Sequence, residues 1–279
     1  MRRLKELYIS DLDGTLLNSS GRLSEKSAVI VNSLINNGLN FTIATARSFD
    51  SASPLIEKLN LKLPMVLYNG VLVYDPISKV NIHSNFVEAD HKEVILNCLL
   101  KKGIEPIVFT LDAANHPSAY YRKLNNPNMA TYINTRLSQK DRRFQQVENF
   151  FKARTENVIT IISIGDEKTL LAAKKSIEAL LEIQIHFAED VYYKNAFWLE
   201  FTAPKSSKKD GVSFLKNHLS AEKLICFGDN LNDISMFKIA DEKFATANAR
   251  NELKSIATDS IGHCDDHAVA RYLQQRLKA

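Results

Sequence analysis

The chain has 279 residues, 45% hydrophobic and 24% charged, with a formal net charge of +4 at pH 7. This composition excludes a disordered or fibrous chain, and the length suffices for a large core and for two domains. The charge is mildly basic and carries no long block of one sign, so it argues only weakly for nucleic acid and suits a protein that attracts small anions.

The cysteines, Cys98, Cys226 and Cys264, are widely spaced and contain no CxxC pair. That argues against a disulfide framework or a zinc site. Met1–Glu6 holds no apolar stretch, and no segment reaches the apolar length of a membrane span. The expectation is a cytoplasmic protein, monomer or homodimer, with neither nucleic acid nor membrane as partner.

Leu7-Tyr8-Ile9 is a short apolar run rich in β-formers and predicts a buried opening strand. Asp11 and Asp13 follow directly, and Gly14 permits a sharp exit. Alternate residues of an extended chain share a face, so both carboxylates can point to one side. The carboxyl end of a strand is where an open parallel α/β sheet binds ligands. Two carboxylates there suit a Mg²⁺ site that keeps room for phosphate oxygens. One aspartate can attack phosphorus. The other can give a proton to the leaving oxygen and later take one from water. The same Asp-x-Asp-Gly run also suits a surface turn.

A helix is predicted over 24–37, capped by Ser24 and stopped by Gly38, and then a strand at 41–44. A helix at 48–59, with Pro54 near its first turn, leads to a strand at 65–68 that ends at Asn69-Gly70. This β-α-β-α-β order is the pattern of a parallel sheet with helical crossovers. Residues 71–74 and 80–82 flank Asp75-Pro76 and read as a hairpin. From about residue 86 the character changes. Helices are expected at 88–102 and 166–181, and strands at 106–111, 158–164, 183–187 and 192–201, while 112–145 reads as polar and irregular. This block has its own apolar faces and reads as an inserted domain. The alternation then resumes with a helix at 209–219 and a strand at 224–227 that ends at Gly228-Asp229. A helix at 231–239, a strand at 244–245, and helices at 251–257 and from 266 complete the chain. The expected fold is α/β, with the core at 1–83 and 196–279 and the insert at 84–195.

Gly228-Asp229-Asn230-Leu231-Asn232-Asp233 follows a buried strand just as the first aspartate pair does. Asp229 or Asn230 could serve only as a helix cap. Matched with the opening cluster, the run reads as the second half of one acidic site.

With these residues in view, the sequence resembles the haloacid dehalogenase-like hydrolases, and within them the Cof-type phosphatases with a large inserted cap. The resemblance spans nearly the whole chain. It rests on Asp11-Leu12-Asp13-Gly14-Thr15, on Thr45-Ala46-Arg47, on a lysine in Ser207-Lys208-Lys209-Asp210-Gly211-Val212, and on Gly228 to Asp233, in that order. Asn69-Gly70 and Leu199-Glu200-Phe201 match the family's two domain junctions.

The resemblance implies a Rossmann-like core with an α+β cap. It implies a Mg²⁺-dependent phosphatase for a small phosphorylated metabolite, a sugar phosphate first, working through an aspartyl phosphate. Asp11 would be nucleophile and metal ligand. Asp13 would be general acid/base, with its backbone carbonyl on the metal. Asp229 would bind the metal, and Asp233 would hold a metal-bound water or orient the lysine. Thr45, Ala46, Lys208 and Asn232 would hold the phosphate. Ala46 stands where the family usually has Gly. Lys208 is favoured over Lys209 because Lys208, Gly211, Val212 and Leu215 fit the family's spacing.

The cap would supply specificity, with Tyr121, Arg136 and Arg142 foremost among Tyr120, Tyr132, Asn134 and Arg143. Arg47 and Asn69 are the candidates on the core side. Most of the cap residues equally suit cap strands and a solvated helix. The same catalytic set would serve a phosphotransferase or mutase, or a flavin mononucleotide or pyridoxal phosphate phosphatase. A silent phosphometabolite-binding protein would not need both Asp11 and Asp13.

Overall fold

The opening apolar run becomes β1 (Glu6–Ser10), buried from Leu7 onward. In the computed structural model, which describes residues 4–190 and 196–277, β1 lies between β2 (Phe41–Ile43) and β12 (Lys223–Gly228), parallel to both. Next come β13 (Glu242–Ala245) and β14 (Asp259–Ser260), so the sheet order is β14-β13-β12-β1-β2. Side chains of β1 alternate between the faces. Leu7 and Ile9 enter a buried cluster with Val212, Leu215, Leu224, Cys226, Met236 and Phe237. Ser24 and Ser48 accept from the backbone N–H groups of Ser27 and Ser51 and so start the crossover helices Glu25–Asn36 and Phe49–Ile56. With Ser48 as cap, Pro54 falls in the second turn rather than the first.

β3 (Met65–Leu67), β4 (Leu72–Asp75) and β5 (Val80–Ser84) form a separate antiparallel sheet. A single parallel bridge, Ala44 to Val66, joins β3 to the end of β2.

The chain divides into two units, 1–84 with 206–279, and 85–205. The second contains β6 (Ile107–Leu111), β7 (Pro117–Tyr121), β8 (Phe144–Gln146), β9 (Asn157–Gly165), β10 (Gln184–Glu189) and β11 (Phe197–Thr202). They form one sheet in the order β10-β11-β9-β6-β7-β8, antiparallel except for the pair β7–β8. The helices Ala89–Lys101 and Glu167–Glu178 place Ile95, Leu99, Leu170 and Ile177 in one cluster with Val108, Ile161, Leu199 and Phe201.

Two expectations need correction. Residues 196–205 belong to the second unit rather than the first, because β11 pairs with both β9 and β10. Asn85 fastens the two chain crossings, its Nδ2 donating to the carbonyls of Pro204 (2.6 Å) and Lys205 (3.2 Å). The alternation of Trp198 and Glu200 with Leu199 and Phe201 marks a strand but does not say which sheet receives it.

The stretch 112–145 is ordered rather than irregular. It holds β7, the helix Pro127–Ser138 and the start of β8. Asn126 caps that helix, yet only Met129 and Ile133 on it are buried, too thin a stripe to register as helical periodicity. Of the strand expected at 192–201, residues 192–195 lie outside the described residues.

Candidate active site

The site grows from the ends of β1 and β12. After Ser10 the chain turns tightly through Leu12–Leu16, with Gly14 at φ +72°. A side chain on Gly14 would collide with the Asp229 carboxylate, so this glycine supplies both the left-handed backbone and the close approach. β12 ends at Gly228. The backbone N–H groups of Asp229 and Asn230 then donate to Asp233 Oδ2 at 2.9 and 3.0 Å, which folds the following turn back on the strand end. Thr15 Oγ1 donates to Asp229 Oδ1 at 3.0 Å and links the two loops.

Lys208 arrives from the first turn of the helix Lys208–His218. Ser207 and Asp210 form a reciprocal capping box there. Gly211 lets the helix sit close: a Cβ on it would lie 2.6 Å from Val66 Cγ1 and 2.9 Å from Gly70 Cα. Lys208 is 1% exposed, and its Nζ donates to Asp11 Oδ1 and Asp233 Oδ1, both at 2.6 Å. Lys209 is exposed, so of these two lysines Lys208 carries the buried ammonium.

Three carboxylates, Asp11, Asp229 and Asp233, offer oxygens all within 4.8 Å of one another, with one ammonium among them. Burial pushes the Asp11 carboxyl well above the usual carboxylate range, against the pull of Lys208. Burial, and then the Asp233 charge, push Asp229 up to about 6, with the Thr15 hydrogen bond acting the other way. Burial alone would depress the Lys208 ammonium, but Asp11 and Asp233 together hold it above its ordinary value. The donors are all hard oxygens with surplus negative charge, which fits a Mg²⁺-type cation.

Asp233 is the least available of the three. One oxygen accepts from Lys208 and the other from two backbone N–H groups. His263, Cys264 and Asp265 also cluster, but His263 Nδ1 accepts from the Asp265 N–H and burial pushes the Cys264 thiol above its ordinary range.

Asp13 differs from Asp11. Its side chain is 47% exposed and is gripped by Arg47, Nε to Oδ2 and Nη2 to Oδ1, both 2.7 Å. Arg47 also donates to Ser51 Oγ at 3.0 Å. The arginine expected to face substrate thus holds the second aspartate. Thr45 is buried, and its hydroxyl accepts from the Arg47 N–H at 3.1 Å, while Ala46 beside it is exposed. Asn69, at φ +52°, donates its N–H to the Thr45 carbonyl and accepts from Asn232 Nδ2 at 3.1 Å. The first unit therefore brings Asp11, Asp13, Thr45, Arg47, Asn69, Lys208, Asp229, Asn232 and Asp233 into two hydrogen-bonded chains.

The cap candidates lie in the second unit. Tyr121 is 5% exposed in β7, too buried to offer its ring. The Arg136 guanidinium lies 5.1 Å over the Tyr132 ring, which in turn meets Trp198 edge-on. Arg143 forks onto Asp141, and Arg142 is exposed. Sequence reasoning missed Thr246 and Asn248, whose side chains donate to the Gly14 carbonyl; no local pattern flags them.

Comparison with known proteins identifies the family: the model of the haloacid dehalogenase-like hydrolases matches residues 8–273. The chain belongs to the haloacid dehalogenase-like hydrolases. Relatives of this hydrolase include the HMP-PP phosphatase of Serratia proteamaculans, 26% identical over 279 residues, with 96% of this chain and 94% of that protein covered. Another is the 5-amino-6-(5-phospho-D-ribitylamino)uracil phosphatase YwtE of Bacillus subtilis, 25% identical, with 96% of each covered. Among solved structures, a haloacid dehalogenase-like hydrolase from Bacteroides thetaiotaomicron superposes with a TM-score of 0.80 at 22% identity, covering 99% of this hydrolase and 100% of that chain. Among the described residues no helix is long and apolar enough to cross a membrane.

Proposed function

We propose that this hydrolase is a Mg²⁺-dependent phosphatase that cleaves a small phosphorylated metabolite, a sugar phosphate first, through an aspartyl phosphate on Asp11. The observation that carries the reading is the contrast between the two opening carboxylates. Asp11 is buried at the strand end against the Lys208 ammonium, whereas Asp13 is half-exposed on the turn.

With Oδ1 held by Lys208, Asp11 attacks phosphorus through Oδ2, and the bond to the leaving oxygen breaks. Asp13 gives that oxygen its proton, then takes one from the water that attacks the aspartyl phosphate, which frees Asp11 and inorganic phosphate. Lys208 offsets the charge on the transferring oxygens, and Thr45 and Asn232 donate hydrogen bonds to them. Asp11, Asp229 and the Asp13 carbonyl would hold Mg²⁺, with Asp233 acting through water or through Lys208. When bound, the ion supplies charge neutralisation for the carboxylates and the phosphoryl oxygens. Arg47 must let Asp13 go before the proton moves, so an acceptor group on the substrate that takes the guanidinium assists the step.

The second unit supplies selectivity, with Arg136 and Arg142 as its candidate contacts. The curated relatives carry names for different substrates at nearly equal identity, so family membership alone does not choose among them. We take the protein to act in the cytoplasm, as a monomer or homodimer.

The test is a hydrolysis screen with Mg²⁺ and with EDTA, across sugar phosphates, nucleotides, flavin mononucleotide, pyridoxal phosphate and phosphorylated pyrimidines. An acceptor alcohol in a parallel series detects phosphotransfer. Release of inorganic phosphate only with Mg²⁺ is expected. Activity that survives chelation and dialysis, or no hydrolysis of any phosphomonoester, overturns the reading.

A further inference from the structure

We propose that Asn248 is a positioning residue for Asp13, acting through the carbonyl of Gly14. The inference rests on the role given above to Asp13 as general acid. Gly14 follows Asp13 directly and takes the left-handed conformation that turns the chain off β1. A glycine at that point has wide backbone freedom, so something outside the turn must fix the direction of its peptide.

Two side chains do so. Asn248 Nδ2 donates to the Gly14 carbonyl at 2.7 Å, and Thr246 Oγ1 donates to the same oxygen at 3.3 Å. The other end of the Asn248 amide accepts from the Cys264 N–H at 3.1 Å, which sets which way the amide faces.

The loop that carries Asn248 is itself anchored to the second acidic strand end. The Thr246 N–H donates to the Gly228 carbonyl at 3.1 Å, and the Arg250 N–H donates to the Asp229 carbonyl at 2.8 Å. Residues 246–250 therefore tie the turn after β1 to the end of β12 in one bracket, with Asn248 at its centre.

The ordinary reading of an exposed asparagine in a loop is a local turn, with the side chain bonded to its own backbone one or two residues on. Asn248 does otherwise, since its two bonds span 234 and 16 residues. A turn held from one side by Arg47 on the Asp13 carboxylate and from the other by Asn248 on the Gly14 carbonyl has little freedom left. When Arg47 lets Asp13 go for the proton transfer, the Asn248 hold on the backbone remains; its loss lets the Asp13 oxygens drift from the leaving oxygen, and an error on the scale of 1 Å costs on the order of 100-fold in rate.

The experiment compares wild type, Asn248→Ala and Asn248→Asp at saturating Mg²⁺. Asn248→Asp is isosteric and keeps the acceptor for Cys264, but it sets an oxygen against the Gly14 carbonyl. The readout is kcat/KM, which covers the steps up to aspartyl-phosphate formation, on an alkyl phosphate and on p-nitrophenyl phosphate, alongside thermal melting. The alkyl leaving group needs a proton from Asp13, and nitrophenolate needs far less help. Both variants are expected to lose about 10- to 100-fold on the alkyl ester and less than about threefold on the nitrophenyl ester, with melting close to wild type. Equal losses on both esters, losses that track a lowered melting temperature, or variants indistinguishable from wild type overturn the role of Asn248. A wild type that hydrolyses neither ester, nor any substrate of the screen, overturns instead the functional reading on which it rests.

Discussion

Replacing Lys208 by Met removes the ammonium that lies among three carboxylates and leaves a side chain of similar length. Each contact at 2.6 Å is worth about 6 kcal/mol of gross attraction at an effective dielectric of about 20. Most of that is offset by desolvation of the fully buried groups. Removal of one partner from a buried ion pair, however, leaves the other charge uncompensated and costs about 3–5 kcal/mol. In Mg²⁺-free buffer at pH 8 the melting temperature should fall by roughly 6–20 °C. The loss should shrink at pH 5. Burial already holds Asp11 above the carboxylate range against the pull of Lys208, and with that pull removed a proton on Asp11 relieves the unpaired charge as pH falls. Adding Asp11→Asn to Lys208→Met should restore part of the stability, a coupling that a double-mutant cycle reads directly. Turnover should fall at least 10²–10³-fold, on the order expected for losing one preorganised charge at the phosphoryl oxygens. Calorimetry and phosphate release measure both effects. A Lys208→Met protein that melts within about 2 °C of wild type and keeps kcat/KM within about tenfold would refute the reasoning. Loss of activity in Lys209→Met alone would move the third motif by one residue.

Asp11→Asn should abolish turnover and the phosphoenzyme, while Asp13→Asn should slow turnover by about 10²–10⁴-fold, and less for p-nitrophenyl phosphate; rapid quench with radiolabelled substrate separates them. Asp229 titrates near 6 in the native state against an ordinary 3.8, so the native state binds more protons between those values and this group's contribution to stability falls as pH rises through that window. Hence Asp229→Asn should stabilise the metal-free protein at pH 7.5 by up to about 3 kcal/mol, seen as a higher melting temperature, while removing any Mg²⁺-induced shift; a metal-free variant less stable than wild type counts against this account. Gly211→Ala should cost about 1–3 kcal/mol and depress activity, because the new methyl must displace Val66 or the Gly70 backbone and carries Lys208 with it. Arg136→Ala or Arg142→Ala should reorder natural substrates while leaving p-nitrophenyl phosphate hydrolysis within about tenfold; an unchanged ranking places selectivity elsewhere.

The parts of the site that the sequence determined are local ones. An apolar run followed by Asp-x-Asp-Gly marks a strand end and a turn, where the fold puts Asp11 and Asp13, and a buried strand followed by Gly-Asp does the same for Asp229. The spacing of Lys208, Gly211, Val212 and Leu215 marks one helix face. In the fold that face has Gly211 against Val66 and Gly70, with Lys208 pointing inward. The parallel core was likewise legible, since β-α-β-α-β with short apolar strands has few other solutions.

Tertiary structure decided the rest. The strand character of β11 was readable and its sheet was not, because alternation along one strand carries no information about its neighbours. The grip of Arg47 on Asp13, the Asn69–Asn232 pair and the reach of Asn248 to Gly14 join residues 34, 163 and 234 positions apart. None of these pairings has a local signature. Each exists because parallel strands bring the loops at their carboxyl ends to one edge of the sheet. The side chains that meet there are chosen by strand order and register, quantities that belong to the folded sheet as a whole.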